Sequence, residues 1–214
     1  MTPLRGDPAK FSLAFQGIGH PYNNLTAKDG NLTLNPDELS FVVAPTEPVR
    51  GRSCGSCTLC CKVLGVPALD KPKGAWCTHC EKGVGCRIYE RRPDACRSFL
   101  CGWLINPRFD AEWKPERSKI VIAVAPDGNG LVFHCDPGFP QAWRKEPYYG
   151  EILRLASQAV PNDGTILVCV GRKMTVVTPE REFPVGEVGD DEEIVHEYSG
   201  KRLVRVRVVK TGQP

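Results

Sequence analysis

The stretch Cys54-Gly55-Ser56-Cys57-Thr58-Leu59-Cys60-Cys61 places four thiols within eight residues. Five more follow downstream, at Cys77, Cys80, Cys86, Cys96 and Cys101, so this region holds nine of the 11 cysteines in a chain of 214 residues. Its hydrophobic periodicity is poor, and glycine, proline and arginine are frequent. Because such a segment buries too little apolar surface to fold on that basis alone, we expect cysteine chemistry to stabilise it.

Metal binding is a better explanation of these cysteines than disulfide bonding. The sequence from Met1 to Pro8 lacks the apolar run of a secretory signal, and no apolar run approaches the ~20 residues that span a bilayer. We therefore expect a cytoplasmic protein without membrane contact, whose thiols stay reduced. The odd number of cysteines also argues against a disulfide framework, which is the alternative if an export signal precedes this sequence.

The spacing of the thiols points to metal coordination. A two-residue gap lets both thiolates of a pair turn toward one ion, and two such pairs form a tetrahedral site. Cys54-x2-Cys57 and Cys77-x2-Cys80 lie on either side of a 15-residue spacer from Lys62 to Trp76. The sequence therefore predicts that the two halves fold toward a common metal site.

The identity of the metal stays open between an iron–sulfur cluster and zinc. Cys54-x2-Cys57-x2-Cys60 matches the cysteine run of bacterial ferredoxins, but Leu64 stands where the next cysteine of that run would be. Adjacent cysteines cannot easily direct both sulfurs at one ion, so Cys60 and Cys61 are expected to differ in role. Nine thiols exceed one four-ligand site and suffice for two. These points favour iron–sulfur slightly.

All nine cysteines of the region are candidate metal ligands: Cys54, Cys57, Cys60, Cys61, Cys77, Cys80, Cys86, Cys96 and Cys101. We assign no catalytic residue. His79, inside the second Cys-x2-Cys unit, is expected to be an exposed loop residue, with a role as ligand or base as the alternative. His134, Cys135 and Cys169 fall in apolar strand contexts, where structural roles are expected.

The cysteine spacing, combined with Trp76, Ile88-Tyr89, Arg92-Pro93, Cys96-Arg97 and Phe99, resembles the CxxCxxCC, or YkgJ-like, family of cysteine-cluster proteins. The resemblance covers residues 50 to 105 and does not extend to the first 50. It implies chelation of zinc or iron without an assigned activity. A larger relative, the flagellin lysine methylase, has a similar cysteine domain that is associated with an iron–sulfur cluster.

The resemblance also suggests roles for residues that are not cysteines. Pro93 would fix the turn that presents Cys96. Arg92 and Arg97 would lower the pKa of nearby thiols through their positive charge. An apolar wall limiting solvent access would comprise Tyr89, Phe99 and Trp103.

We expect an α+β fold in three parts: an irregular N-terminal extension over residues 1–50, a metal-stapled cysteine-rich module over residues 51–117, and a small α+β domain over residues 118–214. In the last part, antiparallel hairpins are predicted over residues 119–133 and 165–177, the second turning at Gly171-Arg172, with one main helix from Pro147 to Val160. Asp190 to Glu193 is predicted to form an acidic loop. Arg202 to Val209 is an edge strand with Val204, Val206 and Val208 on one face.

Three functions fit these features. The first is a metal-binding protein of unassigned physiological role. The second is a cluster-dependent enzyme that performs redox chemistry or protein modification. The third is a zinc-knuckle nucleic-acid-binding protein, suggested by an excess of basic residues in the module; the absence of stacking aromatics on a basic face argues against it. A protein partner is left open.

Overall fold

A computed structural model of the protein describes residues 9–11, 47–126, 128–189, 191–199 and 202–211, the first of these stretches as backbone only. The strands are β1 (Ala9–Phe11), β2 (Cys80–Glu81), β3 (Gly85–Cys86), β4 (Ile120–Val124), β5 (Gly130–Cys135), β6 (Thr165–Val170), β7 (Lys173–Val177), β8 (Glu182–Glu187), β9 (Glu192–Ser199) and β10 (Arg202–Lys210). The α-helices are α1 (Cys60–Val63), α2 (Asp94–Ser98), α3 (Gly102–Ile105), α4 (Pro115–Ser118) and α5 (Tyr148–Ala159). Single 3₁₀ turns cover Pro67–Leu69, Tyr89–Arg91, Ala111–Trp113, Ala142–Arg144 and Val160–Asn162. The expected α+β class is confirmed.

A five-stranded sheet in the order β4-β5-β6-β7-β8 forms the centre of the described structure. The predicted hairpins β4–β5 and β6–β7 are antiparallel, as expected. The sheet is nevertheless mixed, because β5 and β6 pair in parallel and α5 supplies the crossover between them. The strands pack closely at Gly130, whose φ is 154° and whose hypothetical Cβ would lie 2.0 Å from the Thr165 carbonyl oxygen.

The main core lies between the central sheet and α5. The predicted helix is present over Tyr148–Ala159, and its apolar positions Ile152, Leu155 and Ala156 are buried against the sheet. The segment that follows the cysteines enters the same core, since Trp103 and Trp113 belong to it. The cysteine region is therefore continuous with the sheet through a shared core.

A second sheet, in the order β1-β9-β10, covers the opposite face of the central one. The predicted edge strand is confirmed as β10, but its facing is partly wrong. A bulge between Leu203 and Arg205 shifts the register, so that Leu203 is buried and Val204 is 40% exposed. Val206 and Val208 face the core as expected. The alternation of apolar and polar residues cannot reveal such a bulge. One extra residue reverses the face of the sheet toward which the preceding residues point.

The predicted acidic loop is also partly wrong. Glu192 and Glu193 begin β9, and Glu193 is buried; Asp190 lies outside the described residues. Of the extension over residues 1–50, the described part includes β1, which pairs with β9. The apolar piece from Phe41 to Val43 lies outside the described residues. Within the described residues, no helix has the length and apolar character needed to cross a membrane.

Candidate metal centre

The first cysteine set lies on a turn followed by α1. The Cys57 amide donates a hydrogen bond to the Cys54 carbonyl at 2.9 Å, which closes the turn expected for a Cys-x2-Cys pair. Helix α1 then begins at Cys60. Because neighbouring helical residues point about 100° apart, Cys60 and Cys61 leave the helix in different directions. Cys60 packs toward the buried Leu59 and the central sheet.

The second set lies on a knuckle and a two-stranded ribbon. The Cys80 amide donates to the Cys77 carbonyl at 3.1 Å, and Cys80 pairs across the ribbon with Cys86. The left-handed Gly83, with φ of 74°, lies in the turn of this ribbon. A hydrogen bond of 2.9 Å from the Cys77 amide to the Cys61 carbonyl joins the two sets. The two halves therefore meet across the spacer, as predicted.

Of the last two cysteines, Cys96 lies in the middle of the short helix α2 and Cys101 precedes the short helix α3. Helix α2 follows Pro93, and the Cys96 amide donates to the Pro93 carbonyl at 2.9 Å, which agrees with the expected turn. Cys101 immediately precedes α3, and its carbonyl accepts from the Leu104 amide at 2.8 Å. Both cysteines are thus carried by turns that a few backbone hydrogen bonds fix in place.

The thiols converge on one cavity of about 360 Å³. Eight of the nine candidate ligands line it: Cys54, Cys57, Cys60, Cys61, Cys77, Cys86, Cys96 and Cys101. The remaining one, Cys80, lies next to them, since it pairs across the ribbon with Cys86 and its amide donates to the Cys77 carbonyl. All nine are free thiols. Among the described residues, no three His, Cys, Asp or Glu side chains are already arranged as a metal site.

The aromatic side chains close the cavity unequally. Trp103 is buried and Phe99 half-buried, whereas Tyr89 is 56% exposed. All three line the cavity, so the expected apolar wall is present but is open on one side. Tyr89 and the 66% exposed Val84 mark that side. The cavity consequently reaches the protein surface.

Burial makes most of these thiols weak acids. It is the largest cause of the raised pKa of Cys54, Cys57 and Cys96, and it raises the pKa of Cys80 and Cys101 to about 11. These five free thiols are therefore protonated at neutral pH. A bound metal would have to displace those protons, so that its affinity rises with pH.

The expected role of the two arginines is only partly right. The Arg92 guanidinium does favour the thiolate forms of Cys54 and Cys96, but burial outweighs it and leaves the pKa of both thiols raised. Arg97 instead donates to the Arg92 carbonyl at 3.1 Å and lies 3.9 Å from an Asp94 carboxylate oxygen.

A buried lysine, which no pattern in the sequence indicates, lies beside the thiols. Lys71 is only 6% exposed and lines the cavity. Its ammonium donates to the carbonyl oxygens of Lys62 and Pro72, both at 3.2 Å, and to that of Leu64. Burial lowers its pKa, while negative charge on Cys77 and Cys61 favours the ammonium form. The ammonium of Lys71 reaches this position only because the folded chain brings residue 71 back over the cysteines.

The other titratable candidates lie apart from the cavity. Among the described residues that line it there is no histidine, and His79 is half-buried outside it. His134, Cys135 and Cys169 are buried in β5 and β6, in agreement with structural roles. Burial raises the pKa of Cys169 to about 12, so its thiol is inert.

No family model, no curated protein and no solved structure matches this chain. The resemblance to the CxxCxxCC family therefore stays an interpretation of the cysteine motif. What the site can do must be argued from its own residues.

Proposed function

We propose that this chain is a metal-binding protein that carries an iron–sulfur cluster, or else zinc, on the thiolates of its cysteine cavity. One observation carries the proposal: eight cysteines from six separate turns and short elements line a single cavity. Thiolates are the protein ligands that zinc and iron–sulfur clusters prefer. The donor set therefore fits either group.

Two features favour iron–sulfur over zinc. A cavity of about 360 Å³ is far larger than a single ion requires, and the thiols exceed the four that one zinc takes up. The buried ammonium of Lys71 lies beside Cys60, Cys61, Cys77 and Cys96, where it offsets the negative charge of several thiolates. An iron–sulfur cluster would supply one-electron transfer at this position.

We also place the protein in the cytoplasm as part of this proposal. Eleven free thiols, nine of them in one region, persist in a reducing compartment and would be oxidised outside it. Cell fractionation tests this placement independently of the metal.

Elemental analysis and an absorption spectrum of anaerobically purified full-length protein test the metal. We expect iron and acid-labile sulfide, with broad absorption near ~400 nm. Colourless protein with stoichiometric zinc would retain the zinc form and remove the iron form. Folded wild-type protein that contains neither metal would refute both. Cys169→Ala is the matched control, because its thiol is buried in β6 and should leave metal content unchanged.

A cluster-dependent enzyme is the second candidate, because the cavity opens to the surface beside Val84 and Tyr89. An open coordination position is the mark of a catalytic metal, whereas a closed set of protein ligands marks a structural one. Adding cyanide to the anaerobic protein should change its absorption spectrum if such a position exists. An unchanged spectrum would exclude an accessible metal and leave the carrier or structural role.

A further inference from the structure

The nine thiols do not form one uniform set. The elements that carry the thiols and the contacts of those elements divide the cysteines into two groups. The first group contains Cys54, Cys57, Cys60 and Cys101. The second contains Cys61, Cys77, Cys80, Cys86 and Cys96.

The first group lies against the central sheet. Cys101 is close enough to Cys54 and Cys57 for their charges to interact, and Cys54 interacts with Cys57 in turn. Cys57, Cys60 and Cys101 pack together against one small apolar cluster, which includes Val121 of β4. The Cys57 amide donates to the Cys54 carbonyl at 2.9 Å, so the exposed Cys54 adjoins the three thiols that pack on the sheet.

The second group lies on the ribbon and α2. Cys80 pairs with Cys86 across the ribbon, and Cys77 precedes Cys80 in the same knuckle. Cys96 is within electrostatic range of Cys61, Cys77 and Cys86. Cys61 joins this group because its carbonyl accepts a hydrogen bond of 2.9 Å from the Cys77 amide. Of these five thiols Cys77 is buried and the other four are half-buried.

The two groups meet at α1. Cys60 and Cys61 are adjacent at its start: Cys60 packs in the apolar cluster, and the Cys61 carbonyl accepts from the Cys77 amide. Because neighbouring helical residues point in different directions, α1 can present one thiol to each side. The adjacent pair thus joins two sites, whereas a single ion could not easily take both sulfurs.

We propose that the cavity holds two neighbouring metal centres, one on Cys54, Cys57, Cys60 and Cys101, and one on four of the five thiols of the second group. Each group supplies the four thiolates that a zinc ion or an iron–sulfur cluster takes. This inference rests on the proposed metal-binding function. The second group has one thiol to spare, and the buried ammonium of Lys71 stands on its side.

Paired substitutions in each group test the division. Cys57→Ser with Cys101→Ser removes two ligands of the first group, and Cys77→Ser with Cys96→Ser removes two of the second. We expect each double variant, purified anaerobically, to retain half of the wild-type metal per chain. The quadruple variant should retain none, and Cys169→Ala should retain all. Circular dichroism shows whether the sheet domain is still folded.

Three results would overturn the proposal. A folded double variant that loses all metal would indicate a single centre, and one that keeps all metal would show that its group holds none. If either double variant fails to fold, native mass spectrometry of wild-type protein during anaerobic reconstitution decides instead: two successive loading steps support two centres, and one step excludes them. Wild-type protein without any metal would refute the proposed function itself, which is a different outcome from each of these.

Discussion

The stability of this protein should fall on mild acidification because of a histidine inside the central sheet. His134 lies on β5, between Val121 of β4 and Cys169 of β6, and is 3% exposed. Its Nε2 atom has no hydrogen-bond partner among the described residues. Burial, with a smaller contribution from the charge of Lys73, lowers its pKa to about 3. The folded state therefore keeps this side chain neutral.

The size and sign of the effect follow from linkage. In the unfolded chain the histidine has a pKa of about 6.5, so above that pH it is neutral in both states. As the pH falls through 6.5, the unfolded state gains a proton that the folded state does not, and stability is lost until the pH reaches the folded pKa. At pH 5.5 the loss is roughly 1.4 kcal/mol, and at pH 4.5 roughly 2.7 kcal/mol. His196, whose pKa burial lowers to about 4, adds a similar loss at pH 5.5.

Urea unfolding at pH 7.5 and 5.5 measures this loss, with wild type compared against His134→Leu. Wild type should lose roughly 2.8 kcal/mol of unfolding free energy through the two histidines, and the variant roughly 1.4 kcal/mol. Any effect of pH on metal binding is common to both proteins and cancels in the comparison. The same loss in both, with equal denaturant slopes, would refute a buried neutral His134.

Three substitutions probe the packing that holds the site. Gly102→Ala in α3 places a Cβ 2.8 Å from Ile122 Cγ2. Although alanine has the better helix propensity, we expect this clash to lower the free energy of unfolding by about 1–2 kcal/mol, measured by thermal or urea unfolding. Adding Ile122→Val should restore part of that loss. Lys62→Met removes the ammonium that lies 2.5 Å from Asp136 Oδ1 and should lower the free energy of unfolding by about 2 kcal/mol. In a double-mutant cycle with Asp136→Asn, additive losses would contradict an energetic coupling between the two side chains. Gly130→Ala places a Cβ 2.0 Å from the Thr165 carbonyl oxygen of β6, and we expect it to lower the free energy of unfolding by about 3 kcal/mol or more. A variant as stable as wild type would contradict the parallel register of β5 and β6.

Local features were predictable where local chemistry decides them. The turn at Gly171-Arg172 produces the β6–β7 hairpin, since Gly171 adopts a φ of 62°. The helix after Pro147 follows from apolar residues at helical spacing. Each Cys-x2-Cys pair forms a tight turn that is closed by a hydrogen bond from the amide of its second cysteine to the carbonyl of its first. Each of these depends on residues close together in the chain.

Other features depend on residues far apart in the chain. The parallel pairing of β5 and β6 requires α5 to cross the sheet, and no pattern within either strand encodes it. The bulge before Arg205 becomes visible only in the pairing of β10 with β9. The expectation that arginines would lower the pKa of the thiols is right only for the direction of the Arg92 contribution. The charge is visible in the sequence, but the burial that outweighs it is not.

The sequence by itself determined that this chain has a dense cysteine region whose spacing suits metal ligands. Only the tertiary structure decided that eight of these thiols line one cavity and that Lys71 is buried beside them. The physical reason is that spacing fixes the direction of a pair of thiols within a turn. The position of one turn relative to another depends on Val121 and the rest of the sheet on which they pack.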